Sequence, residues 1–331
     1  MSHDPSEASF PSSSHFNPEQ MHAAARLYYL EDATQADVAA YLGTSRATAS
    51  RLLSEARRIG IVKIEVPPLS HANFSELAQR TAQALRLRAV EIVPLASTTA
   101  PGIEMSPAVT RAISRVGLVA GDVLLVSSGR TVYEVAQGEL PSLPGVLVAP
   151  TVGGQDEPEV WYATNEVTRQ FAAKIGGVPN FLYAPALPGP ELHSQFLRDP
   201  SILRVSGLWK KARCAVVGLG APPLVRRSIP SFVPQGGEWL REAAGDVCTR
   251  FFDSDGRPVQ YPGVERLMAT PYEVLQRIPS VIAVAAGNEK VPGILAGARG
   301  RWFTELVTDP DTATALIASC ATPRKGWHPA P

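Results

Sequence analysis

From Pro18 to Val66 the apolar positions recur at helical spacing and then switch to alternation. Met21, Ala24, Ala25, Leu27, Tyr28 and Leu30 lie three and four apart behind Pro18, a residue suited to the first position of a helix. Thr34 is a good N-cap for a second, short helix over Gln35–Leu42, which would bury Val38, Ala39 and Leu42. Gly43 suits the left-handed residue that ends it. Ser45 then caps a third helix reaching about Arg58, with Ala49, Leu52, Leu53 and Ala56 on its inner face. Gly60 closes that helix, and Ile61–Val66 alternates as a short strand until Pro67-Pro68 breaks it. Helix, tight glycine turn, helix and β wing together predict a winged helix-turn-helix over residues 18–66.

Beyond residue 67 the pattern changes. Residues 67–88 predict a connecting helix with Phe74, Leu77, Ala78, Ala82 and Leu85 apolar, either packed on the large domain or joining two copies. From 89 to 322 short apolar runs alternate with helical segments. Strands are expected at Val90–Val93, Val123–Val126, Val146–Val148, Phe181–Tyr183, Ala215–Val217, Val281–Ala285 and Glu305–Val307. Helices fit near 107–119, 131–137, 160–175, 191–198, 201–210, 270–277, 289–299 and 311–319. This predicts a Rossmann-like α/β domain with a mostly parallel sheet, whose ligands would bind beyond the carboxyl ends of the strands. The Gly- and Pro-rich stretch 221–265 is expected to be an insertion or lid. Residues 1–17 and 323–331 are expected to be tails.

Composition narrows the class. The 331 residues are 45% hydrophobic and carry 31 basic and 31 acidic side chains, a globular profile with no bulk field for nucleic acid. Three scattered cysteines and the absence of ligand clusters predict reduced thiols and no metal or cofactor. No run approaches the length of a membrane span, and the first residues do not read as a signal peptide, so a cytoplasmic protein is expected.

The charge is nevertheless sorted. Residues 45–63 sum to +4, whereas residues 19–37 sum to −3, which places a basic side where DNA would dock. Arg46 and Arg51 can fork onto guanine edges or phosphates. Ser45, Thr48 and Ser50 on the third helix, with Thr34 and Gln35 at the start of the second, offer short polar groups to the backbone.

A second site is expected in the loops of the large domain. Val123–Val126 runs into Ser128-Gly129-Arg130-Thr131 and then a helix: strand, small-residue turn and helix start form an anion cradle to which Arg130 adds a guanidinium fork. Gly153-Gly154 and Gly218-Leu219-Gly220 follow two other strands. Lys290 stands at a helix start, where a cation opposes the dipole and an anionic ligand would give it a reason.

These segments resemble the SorC family of sugar-responsive transcriptional regulators. The similarity is carried by Thr34–Ala39, by Ser45-Arg46-Ala47-Thr48-Ala49-Ser50-Arg51-Leu52-Leu53 with the following Ala56–Val62, and by Ser127–Thr131. Ala244-Gly245-Asp246, Phe251–Gly256 and the closing Val281–Lys290 segment extend it, so that it spans about residues 20–320. The resemblance implies operator DNA and a phosphorylated sugar as partners, and assembly into a dimer or tetramer. It places Ser128, Gly129, Arg130 and Thr131 at the phosphate, Gly153 and Gly154 beside the sugar, and Asp246 and Lys290 on its hydroxyls or on a second phosphate. Two departures stand out. Val152 occupies a position where an arginine can bind a second phosphate, and Ala221-Pro222-Pro223 follow the Gly218 loop where polar contacts are expected.

The resemblance also extends to sugar-phosphate isomerases and deaminases, so an enzyme with a fused DNA-binding domain is the alternative. Acid–base chemistry on a sugar would need a carboxylate, often with a histidine, converging on its carbons. Among the six histidines only His193 could face a pocket, so no catalytic residue is assigned.

Overall fold

The structure, a computed structural model, describes residues 16–62, 71–96, 99–226, 229–234 and 237–321. Its contacts divide the chain into two units, one before and one after the boundary at Leu69/Ser70.

The smaller unit holds α1 (Pro18–Leu30), α2 (Gln35–Tyr41) and α3 (Arg46–Arg58). Met21 and Ala24 of α1, Val38 of α2, and Ala49, Leu52, Leu53 and Ala56 of α3 form its core. Each helix begins on a side-chain cap. Asn17 serves α1, a reciprocal Thr34–Asp37 box serves α2, and Ser45 serves α3 by accepting the Thr48 amide. Of the strand expected at Ile61–Val66, Ile61 and Val62 form a bend in which the Val62 amide donates to the Ala56 carbonyl; the remainder lies outside the described residues.

The larger unit opens with α4 (His71–Leu85), followed by β1 (Ala89–Ile92), α5 (Pro101–Val116), β2 (Val123–Val126), α6 (Arg130–Gln137), β3 (Leu147–Pro150), α7 (Thr164–Ile175) and β4 (Val178–Pro179). Then come α8 (Pro190–Phe196), α9 (Pro200–Trp209), β5 (Ala212–Gly220), α10 (Trp239–Glu242), β6 (Gly245–Val247), β7 (Arg250–Phe252), α11 (Tyr272–Leu275), β8 (Ser280–Val284), α12 (Val291–Arg299), β9 (Glu305–Thr308) and α13 (Pro310–Ala321). The parallel sheet runs β1-β9-β8-β5-β2-β3-β4, and the antiparallel β6–β7 hairpin hangs from the end of β5.

Both faces of the sheet are covered, which is why its strands read as continuous apolar runs. Leu124 and Val126 of β2 point into one cluster with Met105, Val109, Val135 and Phe171, under α5, α6 and α7. Val123 and Leu125 point the other way, into a cluster with Leu85, Ile294, Trp302 and Leu316, under α4, α12 and α13. The helix expected at 67–88 is α4, and it packs within this unit against α13 and β1.

Several boundaries differ from the sequence expectation. α5 starts at Pro101 and runs through Pro107, where the pattern suggested a start near 107; burial of Gly102, Met105 and Ser106 against the neighbouring helix offsets the lost backbone bond. The expected 160–175 helix divides into a 3-10 turn, Val160–Tyr162, and α7. Phe181–Tyr183 is not a strand: pairing with β3 comes earlier, at Val178–Pro179. The described residues of the 221–265 stretch build a core of their own, in which the rings of Trp239 and Tyr261 stack at 4.8 Å and Phe251 meets Trp239 edge-on at 5.2 Å.

Candidate functional site

The parallel sheet brings the carboxyl ends of β2, β5 and β8 side by side, and the loops leaving them wall a cleft of about 600 Å³. Its lining takes in Ser128, Gly129, Arg130 and Thr131 after β2, Gly218–Ala221 at the end of β5, and Arg226, Asp246 and Lys290. Six of the eight expected effector residues therefore line one cavity.

At the first wall, Gly129 carries φ 113° and ψ 150°, a conformation that only glycine adopts readily, and it turns β2 directly into α6. The Gly129 amide donates to the Trp161 carbonyl at 2.8 Å, and no side chain caps α6, so the amides of its first turn are presented at a helix start. Gln155 donates to the Ser128 hydroxyl at 2.7 Å and orients it. Arg130 is already engaged: its Nε donates to Glu134 Oε1 at 2.8 Å, a terminal nitrogen donates to the Thr99 carbonyl, and its guanidinium lies 5.8 Å from the Trp161 ring centre.

Across the cleft, Arg226 pairs with Asp246, donates through Nε to the Ala221 carbonyl at 2.5 Å, and rests 5.7 Å from the Phe251 ring centre. The sequence reading missed this arginine because it stands in the Gly- and Pro-rich stretch, although a basic pair soon after a strand-end loop was visible. Ala221 thus contributes a carbonyl where the departure from the family pattern suggested missing contacts. Lys290 ends the 3-10 turn Asn288–Lys290 at the start of α12. Its ammonium makes no hydrogen bond or ion pair with the described residues; desolvation pulls it below the ordinary lysine range and the nearby Arg226 adds to the effect, against the opposing pull of the Glu289, Glu134 and Asp246 carboxylates.

Gly153 and Gly154 do not line this cleft. The Gly153 amide donates to the Met268 carbonyl, and a Cβ there would stand 2.5 Å from the Ala184 carbonyl oxygen, so its smallness serves close packing. Gly154 bridges to Pro185. Their neighbour Gln155 reaches the cleft instead.

The ionisable side chains lining the cleft are Arg130, Tyr162, Arg226, Asp246, Cys248, Glu289 and Lys290. Among its described lining residues there is no histidine, and His193 lies on α8, away from it. Cys248 lines it, but burial pushes its thiol up to about 12, so it stays protonated. Cys248 and Thr249 form the β6–β7 turn with positive φ at both positions, 53° and 60°, a strained arrangement for non-glycine residues.

In the smaller unit, Arg46 and Arg51 are exposed on α3 and make no ion pair among the described residues, whereas Arg58 is tied to Glu55. Thr34, Gln35 and Arg46 border one surface depression. The Thr34 and Ser45 hydroxyls are occupied as caps, Thr34 with Asp37 and Ser45 with Thr48, and Ser50 is half-buried.

This arrangement has known counterparts. Residues 70–318 match the family model described as "Putative sugar-binding domain". The chain is 31% identical over 307 residues to the sorbitol operon regulator of Klebsiella pneumoniae, covering 88% of this chain and 96% of that one. It belongs to the SorC family of sugar-binding transcriptional regulators. The deoxyribonucleoside regulator of Bacillus subtilis (strain 168) is 29% identical over 306 residues, covering 89% of this chain and 96% of the relative. The crystal structure of the full-length sorbitol operon regulator SorC from Klebsiella pneumoniae superimposes with a TM-score of 0.80 at 28% identity, covering 92% of this chain and all of that one. In this SorC-family chain the helices α1–α3 precede the sugar-binding domain, and none of the described helices is long and apolar enough to cross a membrane.

Proposed function

We propose that this protein is a cytoplasmic, homo-oligomeric regulator that reads operator DNA with residues 18–66 and is controlled by a phosphorylated sugar bound in residues 89–322. The observation that carries the reading is the cleft that the Ser128–Thr131 turn and Lys290 both line. A half-buried ammonium that hydrogen-bonds to none of the described residues gains from an anionic ligand, and a phosphate ester held between it and the helix-start amides serves both. Asp246, fixed by Arg226, accepts from sugar hydroxyls. Sorbitol and deoxyribonucleosides, the compounds in the relatives' names, set the chemical range as polyols and sugars. The exposed, unpaired Arg46 and Arg51 on α3 support the DNA assignment.

We read the cleft as a binding site without turnover, a reading supported by the relatives' names as regulators and by an aspartate tied to an arginine. Titration calorimetry with matched sugars and sugar phosphates tests the reading. The phosphate ester binds much more tightly and is recovered unaltered after long incubation; equal affinity for the two, or conversion of the ester, refutes it.

A further inference from the structure

Arg130 stands at the cleft wall, yet its hydrogen bonds go to Glu134 and Thr99, neither of which lines that cleft. Its Nε meets Glu134 at 2.8 Å one helical turn along α6, and a terminal nitrogen meets the Thr99 carbonyl. The two partners differ in setting: the Glu134 side chain is only 9% exposed, against 57% for Arg130. The other Glu134 oxygen, Oε2, accepts the Gly102 amide at 2.9 Å, in the first turn of α5, a helix that has no side-chain cap of its own. The carboxylate is therefore held in place by the backbone, while the guanidinium it binds sits on a mostly exposed stem.

We infer that Glu134 is a positioning residue that competes with the effector for Arg130 and thereby sets which anions the cleft accepts. The inference rests on the reading that the ligand's phosphate sits at the Ser128–Thr131 turn. A monoanion drawing Arg130 toward the turn exchanges one carboxylate partner for another and gains little. A phosphate dianion offers twice the charge and three acceptor oxygens, enough to displace Glu134. The carboxylate left behind keeps the Gly102 amide and the positive end of α5, and Lys290 lies close enough to feel its charge. Glu134 thus turns a general anion cradle into one selective for phosphate esters over sugar acids.

The test uses the full chain with inorganic phosphate and acetate as probes, titrated by calorimetry. Glu134→Gln keeps an acceptor for the Gly102 amide but loses the charge. It is expected to bind inorganic phosphate about tenfold more tightly than wild type and to show a smaller phosphate-over-acetate preference. The double variant Arg130→Gln/Glu134→Gln is expected to lose that gain. Should Glu134→Gln fail to fold, Glu134→Asp keeps the charge on a shorter stem and is expected to show a smaller gain of the same sign. A spectroscopic reading follows Arg130 directly: phosphate that draws it off the Trp161 ring changes the emission of wild type, a change missing from Trp161→Phe.

A folded Glu134→Gln protein that binds phosphate no better than wild type, or a Trp161 emission indifferent to saturating phosphate, overturns the role of Glu134 while the phosphate reading stands. Absence of phosphate binding in every variant overturns both.

Discussion

Replacing Lys290 by methionine separates what that residue does for the ligand from what it does to the fold. The side chains are similar in length, so the stem packing survives while the ammonium goes. Desolvation holds that ammonium below the ordinary lysine range despite the nearby Glu289, Glu134 and Asp246 carboxylates, and none of the described residues hydrogen-bonds to it. In the proposed complex it supplies a charge-assisted contact of about 1.5–3 kcal/mol, so the variant should lose roughly ten- to hundredfold in affinity for a phosphate ester. The effect on stability has the opposite sign. A lysine whose folded pKa is depressed binds fewer protons when folded than when unfolded, so it weakens the fold and its cost recedes as pH rises from the depressed value to the ordinary one. Lys290→Met should therefore melt higher than wild type at neutral pH, with the gap narrowing toward alkaline pH, and should gain less from added ligand. Differential scanning fluorimetry across pH, with and without a sugar phosphate, reads all of this. A variant that melts lower than wild type at neutral pH and still binds the ester normally would refute both halves of the reasoning.

Arg46→Ala and Arg51→Ala should each weaken operator binding by about 1–3 kcal/mol and lower its salt dependence while leaving the melting point unchanged, as measured by fluorescence anisotropy. Glu305→Gln should destabilise the protein at neutral pH. Burial alone would raise that carboxyl, but hydrogen bonds from Arg88, Arg115 and Ser280 outweigh it and hold the pKa below the usual range. That stabilisation is present above the ordinary carboxylate pKa and is lost as pH falls through the depressed one, so chemical denaturation of the two proteins should converge in acid. Because one reading helix covers only half an operator, light scattering at micromolar concentration should find a dimer or a larger assembly, and a monomer would contradict the proposed mode of DNA binding.

Much of this was legible in the chain because it depends on near neighbours. Helix caps at Thr34 and Ser45 and the small-residue turn at Ser128–Thr131 are local events, in which a residue and its partner lie within a few positions. The alternating apolar runs specified a parallel sheet for the same reason, since a strand covered on both faces must be apolar throughout. Only the tertiary structure decided what each charged group does. Arg130 and Glu134 are close in sequence, but the Thr99 and Gly102 groups that complete their network come from another segment. Arg226 and Asp246 lie 20 positions apart and meet through the folding of a stretch whose glycines and prolines suggested a mere lid. Gly153 and Gly154, placed beside the ligand by analogy, were claimed by packing against Ala184 and Pro185. Pattern and propensity act over a turn or a strand, whereas the pairing of charges across a cleft depends on distances that arise only when the sheet has assembled.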